Sequence, residues 1–336
     1  MAVASGDGVE KLEDMIVRAA ETTAAHVAAA KNAIGAVIFG QEPVVEQTLI
    51  TVLSGGHGML VGVPGLAKTK LVEALGIVLG LDTKRIQFTP DLMPSDILGS
   101  EVLEESPGGK RTFRFIAGPI FGQLLMADEI NRASPRTQSA LLQAMQEQHV
   151  TVAGTRHDVP KPFHVLATQN PIEQEGTYPL PEAQLDRFLM QIDVDYPDQA
   201  AERRIVFETT GVEEAKPKPA MTSDDLIAAQ RLVRRLPVGE SVVDAILQLV
   251  RSARPGPDAG DLGKLISWGP SPRASQALML VARARALLDG RLAPSIDDVI
   301  ALAEPVLKHR MALTFAARAD GETIGGVIAK LTSRIG

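Results

Sequence analysis

The segment Gly62-Val63-Pro64-Gly65-Leu66-Ala67-Lys68-Thr69 follows an apolar run, Met59-Leu60-Val61, and leads into a stretch of helical apolar periodicity. A glycine-rich turn in that position demands a buried strand on one side and an open helix N-terminus on the other. Successive backbone N–H groups and the positive end of the helix dipole then converge on one point, which favours an anion with several oxygens. This is the order of a triphosphate-binding P-loop, in which Lys68 adds a full charge at the outer phosphates and Thr69 places its hydroxyl on a bridging Mg²⁺. Ala67 stands where the pattern G-x-x-x-x-G-K-[ST] has its last glycine. A methyl group there predicts negative φ, with residue 67 already at the start of the helix.

Hydrolysis at such a loop needs a second element, and Leu124-Leu125-Met126-Ala127-Asp128-Glu129 is an apolar strand ending in two carboxylates. Asp128 is the candidate for the Mg²⁺ shell. Glu129, one residue further and pointing the other way, is the candidate to orient and deprotonate the attacking water. A third apolar run, Phe163 to Thr168, ends in Gln169-Asn170-Pro171, and the Asn170 amide donates and accepts at once, as a γ-phosphate sensor requires. Pro171 and Pro179-Leu180-Pro181 then stop regular structure before a helix from Glu182 that carries Leu185-Asp186-Arg187-Phe188. Spacing alone reads Arg187 as an exposed side chain in a surface pair with Asp186, and an arginine-finger role as the alternative.

Together these segments resemble the MoxR family of AAA+ ATPases, from about residue 33 to 334. The signatures are Val37-Ile38-Phe39-Gly40-Gln41, the Gly-Val-Pro-Gly-Leu-Ala-Lys-Thr loop, the stretch from Gln87 to Gly99, Gly118-Pro119-Ile120-Phe121, Asp128-Glu129-Ile130-Asn131-Arg132-Ala133, Ala167-Thr168-Gln169-Asn170-Pro171, Leu185-Asp186-Arg187-Phe188 and Gly269-Pro270-Ser271-Pro272-Arg273-Ala274. The resemblance implies an ATP site built from Gly62, Val63, Pro64, Gly65, Leu66, Ala67, Lys68, Thr69 and Lys70 with Ile38, Gly40 and Gln41 before the first strand. It implies Mg²⁺ at Thr69 and Asp128, Glu129 as the water-activating acid, Asn170 as sensor 1, Arg187 as a finger reaching a neighbour's γ-phosphate and Arg273 as sensor 2. It further implies a homo-oligomeric ring, a hexamer, acting like a chaperone on a client protein, often with von Willebrand factor A partners. Hydrolysis is expected to change the angle between the α/β domain and the lid through Arg273 and Asn170. A motor subunit of a metal-chelatase-like complex and a nucleotide-gated scaffold with little turnover are the competing readings; the presence of Glu129 argues against the second.

The residues support Arg273 partly on their own. Ser271-Pro272 is a helix start with a capping serine and proline at the first position, and an arginine in that first turn faces the positive dipole end. An anionic ligand would offset that repulsion.

Length and pattern point to an α/β P-loop domain over residues 1–210 with an N-terminal helix, a connector over 211–221 that is polar and proline-containing, and an all-helical lid over 222–336. Strands near 59–61, 85–88, 124–127, 164–168 and 189–194 alternate with helices, the rhythm of a parallel sheet with ligand at its C-terminal edge. Two inserted hairpins are expected, one over 101–115 and one over 149–159; the family resemblance turns them toward a central pore. In the lid, Thr222 and Ser295 cap helices, and Lys308, His309 and Arg310 complement the dipole at a helix end.

Several classes are excluded or disfavoured. The chain has no cysteine, so no disulfide or thiolate site, and His149, His157 and His164 are irregularly spaced and read as ordinary histidines, the first two solvent-facing, rather than metal ligands. A net charge of −7 argues against broad attachment to nucleic acid. Neither a secretory signal nor a run of 18 apolar residues is present, and a cytoplasmic protein is expected.

Overall fold

The computed structural model describes residues 6–105, 111–173, 175–211 and 215–335. Five strands form one parallel sheet: β1 (Gly58–Val61), β2 (Thr83–Gln87), β5 (Leu124–Asp128), β8 (His164–Gln169) and β9 (Met190–Asp193), in the order β2-β5-β8-β1-β9. The three inner strands are buried almost throughout, while β2 at one edge carries the exposed Lys84 and Arg85. Continuous apolar runs in the middle and polar residues at the edge follow from covering both faces of the sheet.

Alternate strand residues feed two separate cores. Leu60, Leu124, Met126 and Leu166 point to the face covered by α1 (Gly6–Gly35), α2 (Glu42–Leu53) and α3 (Lys68–Val78). Met59, Leu125, Ala127, Val165 and Ala167 point to the face covered by α5 (Pro135–Glu147), through Leu141, Leu142 and Met145. Between β2 and β5 stand α4 (Pro94–Leu98) and a hairpin of β3 (Gly99–Glu105) with β4 (Arg111–Ala117). The turn of that hairpin, expected around Pro107-Gly108-Gly109, lies outside the described residues. The second hairpin, β6 (His149–Val152) with β7 (Thr155–Asp158), is present as well. The short α6 (Glu182–Leu185) precedes β9, and α7 (Gln199–Thr209) follows it.

Beyond the connector come α8 (Ser223–Val233), α9 (Glu240–Ser252), α10 (Pro272–Leu288), α11 (Ile296–Leu307), α12 (Phe315–Ala319) and α13 (Ile324–Thr332). The lid is helical except for a small antiparallel ladder, β10 (Ile266–Trp268) with β11 (Ala312–Leu313), too short to announce itself by period-2 alternation. Thr222 and Ser295 cap α8 and α11 in reciprocal capping boxes with Asp225 and Asp298, as the sequence predicts. The helix α1 packs against α2, α3, α8 and α10, so Val27, Ala30 and Ile34 belong to one apolar core that runs from the sheet into the lid. Among the described residues, no helix is long and apolar enough to cross a membrane.

One buried carboxylate organises the α10–α11 corner. Asp298 is 0% exposed; it accepts from the Ser295 N–H (2.7 Å) and pairs with Arg291 (2.6 Å) and Arg285 (3.0 Å). Burial by itself would raise its pKa, but the contacts with Arg291, the Ser295 N–H and Arg285 outweigh that and hold it below the usual carboxylate value. Asp298→Asn should therefore lower stability at pH 7 by about 3 kcal/mol, because it strands two arginines against a neutral amide. Since the folded pKa is depressed, the contribution is complete above the unfolded value of about 3.9 and is lost as pH falls through the folded value. Urea unfolding of parent and variant at pH 7 and pH 3 measures it: the gap between them should narrow in acid.

Candidate active site

The C-terminal ends of β1, β5 and β8 lie side by side, and the sequence-predicted residues meet there. A cavity of 440 Å³ is lined by Pro64, Gly65, Leu66, Ala67, Lys68, Thr69 and Lys70 from the loop, Asp128 and Glu129 from the end of β5, and Asn170 after β8. Thr168, Arg85 and Gln87 complete it. Gly62 leaves β1 so close to the end of β9 that a Cβ would sit 2.4 Å from the Val194 carbonyl oxygen. The Lys68 ammonium donates to the carbonyls of Gly62 (2.8 Å) and Val63 (2.7 Å), which tethers its stem across the loop. Burial pushes the Lys68 pKa down, and Asp128 and Glu129 oppose that shift.

Two backbone details differ from expectation. Ala67 has φ +56° and ψ +19°, in the left-handed region, where negative φ was expected. Its carbonyl already accepts the first helical bond, from the Leu71 N–H (2.9 Å), but its own φ is set by the reversal of the loop that brings N–H groups inward. Glu129 is likewise left-handed (φ +55°, ψ +49°), so the chain leaves β5 by a sharp turn. Its side chain consequently lines the same cavity as Asp128 and does not point away from it.

The two acids are held by one hydroxyl and separate cations. Thr168 Oγ1 donates to Asp128 Oδ1 (2.5 Å) and accepts from the Glu129 N–H (2.8 Å). Asp128 Oδ2 accepts from Arg85 (2.7 Å), and Glu129 Oε2 from Arg132 (2.8 Å) and Gln87 (3.2 Å). Arg132 is shared with Glu173 at 3.6 Å. Asn170 Oδ1 accepts from the Ile172 N–H (3.2 Å), which fixes the amide at the cavity wall. Arg85, Gln87 and Thr168 were missed from sequence; each is a polar residue in a strand, two of them at i and i+2 on β2, and that alternation was the available signal.

A smaller, mostly apolar cavity of 100 Å³ adjoins the loop. Ile38 and Gln41 line it with Val37, Phe39, Gly65, Leu66, Ala67 and Lys70 on one side and Pro197, Ile205 and Thr209 on the other. Gly40 is not among the lining residues. With φ +68° and no room for a Cβ, which would fall 2.4 Å from that of Ala201, it sets the turn that packs this segment on α7.

Arg187 and Arg273 do not join this site in their own chain. They line a second cavity of 440 Å³ with Gly55, His57, Asp186, Arg234 and Arg310, in which Asp186 is the single acid. Gly55 to His57 precede β1, and Asp186 to Leu189 precede β9; since these strands are parallel, this cavity lies at the N-terminal edge of the sheet. The P-loop leaves from the other edge, a strand length of roughly 13 Å away at about 3.3 Å per residue. Arg273 and Asn170 thus line different cavities and do not converge within one chain. Arg187 is half-buried, its guanidinium donates to the Leu142 carbonyl (2.5 Å), and the partner of Asp186 is Arg310, not Arg187. Arg310, expected to complement a helix end, turns inward and is 2% exposed; His309 beside it is buried as well.

The histidines also depart from the expected solvent-facing pair. His157 stacks on Phe115 (centroids 3.9 Å apart, 16° between planes) and joins the two hairpins, while His164 is buried between Gly56 and Gln230. Among the described residues, no group of histidines and carboxylates is arranged to hold a metal ion.

Known proteins are similar to this chain in sequence and fold. Residues 57–190 match the ATPase family associated with various cellular activities (AAA), and residues 263–331 match the AAA lid domain. The chain is 44% identical over 306 residues to Chaperone MoxR1 of Mycobacterium tuberculosis, covering 90% of this chain and 80% of that protein. It is 33% identical over 303 residues to Protein MoxR of Paracoccus denitrificans, covering 85% and 88%. The crystal structure of a provisionally assigned ATPase from Cytophaga hutchinsonii superimposes with a TM-score of 0.88 at 34% identity, covering 98% of this chain and 99% of that one. With an α/β P-loop domain, a helical lid and relatives of this extent, the chain belongs to the MoxR family of AAA+ ATPases.

Proposed function

We propose that this chain hydrolyses ATP in an oligomeric ring, a hexamer, whose nucleotide sites are shared between neighbours, and that it uses the reaction to remodel, activate or assemble a client protein. The observation that carries the reading is the division of the machinery between opposite sheet edges: loop and acids at one, Arg187 and Arg273 at the other. Cations grouped around a single acid at a sheet edge away from their own phosphate loop are suited to a phosphate held by another copy.

In this reading the loop N–H groups and Lys68 hold the phosphates, and the cavity formed by Ile38, Gln41, Ile205 and Thr209 takes the base. The oxygen donors Thr69 and Asp128 fit a Mg²⁺ ion, which would neutralise charge on the β- and γ-phosphates. Glu129 orients a water and takes its proton, and Asn170 fixes the γ-phosphate from the side. Arg132 and Gln87 both hold Glu129 through Oε2, which orients the carboxylate in the cavity. Arg187 and Arg273 from the adjacent protomer meet the charge that develops on the phosphoryl group. The partner is a client protein, among them proteins with a von Willebrand factor A domain.

Lys68→Ala should abolish ATP binding measured by titration calorimetry; retained affinity would remove the loop from the nucleotide site. Glu129→Gln should bind ATP as the parent does and hydrolyse it at least about 10²-fold more slowly, the ordinary contribution of a positioned base. The parent's turnover per protomer should rise with protein concentration, and Arg187→Ala should reduce it on the order of 10³-fold without loss of nucleotide binding. A rate independent of both concentration and Arg187 would mean a self-contained site and no ring.

A further inference from the structure

The buried ion pair between the lid and the segment before β9 sits between the two arginines assigned to the shared site. Arg310 Nε donates to Asp186 Oδ1 (2.7 Å), Nη1 to the carbonyls of Leu189 (3.1 Å) and Val306 (2.5 Å), and Nη2 to those of Phe188 (2.6 Å) and Asp186 (3.4 Å). One guanidinium thus gathers the carbonyls of the chain on both sides of Arg187 and ties them to the end of α11. The second oxygen of Asp186 accepts from Ser271 Oγ (2.9 Å), and that hydroxyl caps α10 by accepting from the Arg273 N–H (3.1 Å). A continuous path of four hydrogen-bonded residues therefore runs from Arg310 through Asp186 and Ser271 to the backbone of Arg273.

An apolar pair of the same volume would hold lid and core together about as well, because desolvation offsets most of the attraction in a buried ion pair. What the fork geometry adds is direction, since five fixed donors specify a backbone path that packing alone leaves loose. We propose that Arg310 is a positioning residue for the shared nucleotide site: through Asp186 and Ser271 it fixes Arg187 and Arg273 relative to one another, so that both enter the neighbour's site as one rigid unit. This rests on the shared-site reading above.

The test uses the full chain with Arg310→Lys, which keeps the charge and loses the fork. Nucleotide affinity should be unchanged and kcat should fall about 10- to 100-fold, the effect of misplacing a transition-state cation by around 1 Å. Co-assembly with Glu129→Gln then separates positioning from folding. Glu129→Gln protomers have inert sites of their own but intact Arg187, Asp186 and Arg310, so they should restore turnover in the Arg310→Lys sites. Unchanged kcat for Arg310→Lys, or a loss that Glu129→Gln does not restore, overturns the proposal. Arg187→Ala in the same co-assembly tells the two readings apart: if it is restored and Arg310→Lys is not, only the positioning role fails; if it is not restored, the shared site itself fails. Should Arg310→Lys not fold, Ser271→Ala breaks the same path at its other end and is read by the same outcomes, with a kcat loss of about tenfold expected.

Discussion

The parallel alignment of β1 with β8 and β9 decides what one copy of this chain can and cannot do. Because all three strands run the same way, everything that follows them in sequence gathers at one edge and everything that precedes them gathers at the other. The phosphate loop, Glu129 and Asn170 come after their strands and Asp128 closes its own; Arg187 comes before its own. No rotation of a side chain moves a residue from one edge to the other, so a reaction that needs both sets needs two copies. The lid adds to the same logic, since Ser271 and Arg310 approach the sheet on the side of Arg187.

Sequence was informative wherever chemistry is local to the chain. The loop from Gly62 to Thr69, the acids closing β5 and the capping boxes of Thr222 and Ser295 are each written within a few consecutive residues, and all were read correctly as local structure. The sign of φ at Ala67 was not, because helix propensity describes a residue inside a helix while Ala67 is the hinge of a loop that must reverse. Arg310 was read as a dipole partner for α11 since nothing nearby in sequence suggests otherwise; its real partner is 124 positions away. Thr168 is similar. Its bond to Asp128 exists only because β5 and β8 are neighbours in register, a fact about strand order that no single strand carries.

The polar groups around the acids show how charge is managed where Arg85, Arg132 and Gln87 crowd two carboxylates. Thr168 bridges the two acids from the sheet, while Arg85 pairs with Asp128 and Arg132 with Glu129. Separate counter-cations offset the repulsion between the two adjacent carboxylates. Left-handed backbone at Ala67 and Glu129 brings these groups to a common wall at a cost of roughly 1–2 kcal/mol for each residue.

The apolar core that α1 shares with the sheet and the lid has a mechanical consequence. Val27, Ala30 and Ile34 interleave with side chains of both parts, so the two cannot separate without exposing hydrocarbon to water. Any change of angle between the α/β domain and the lid therefore has to keep this core covered. In the proposed ring, the two halves of the nucleotide site would meet at the seam between one copy and the next, outside this core.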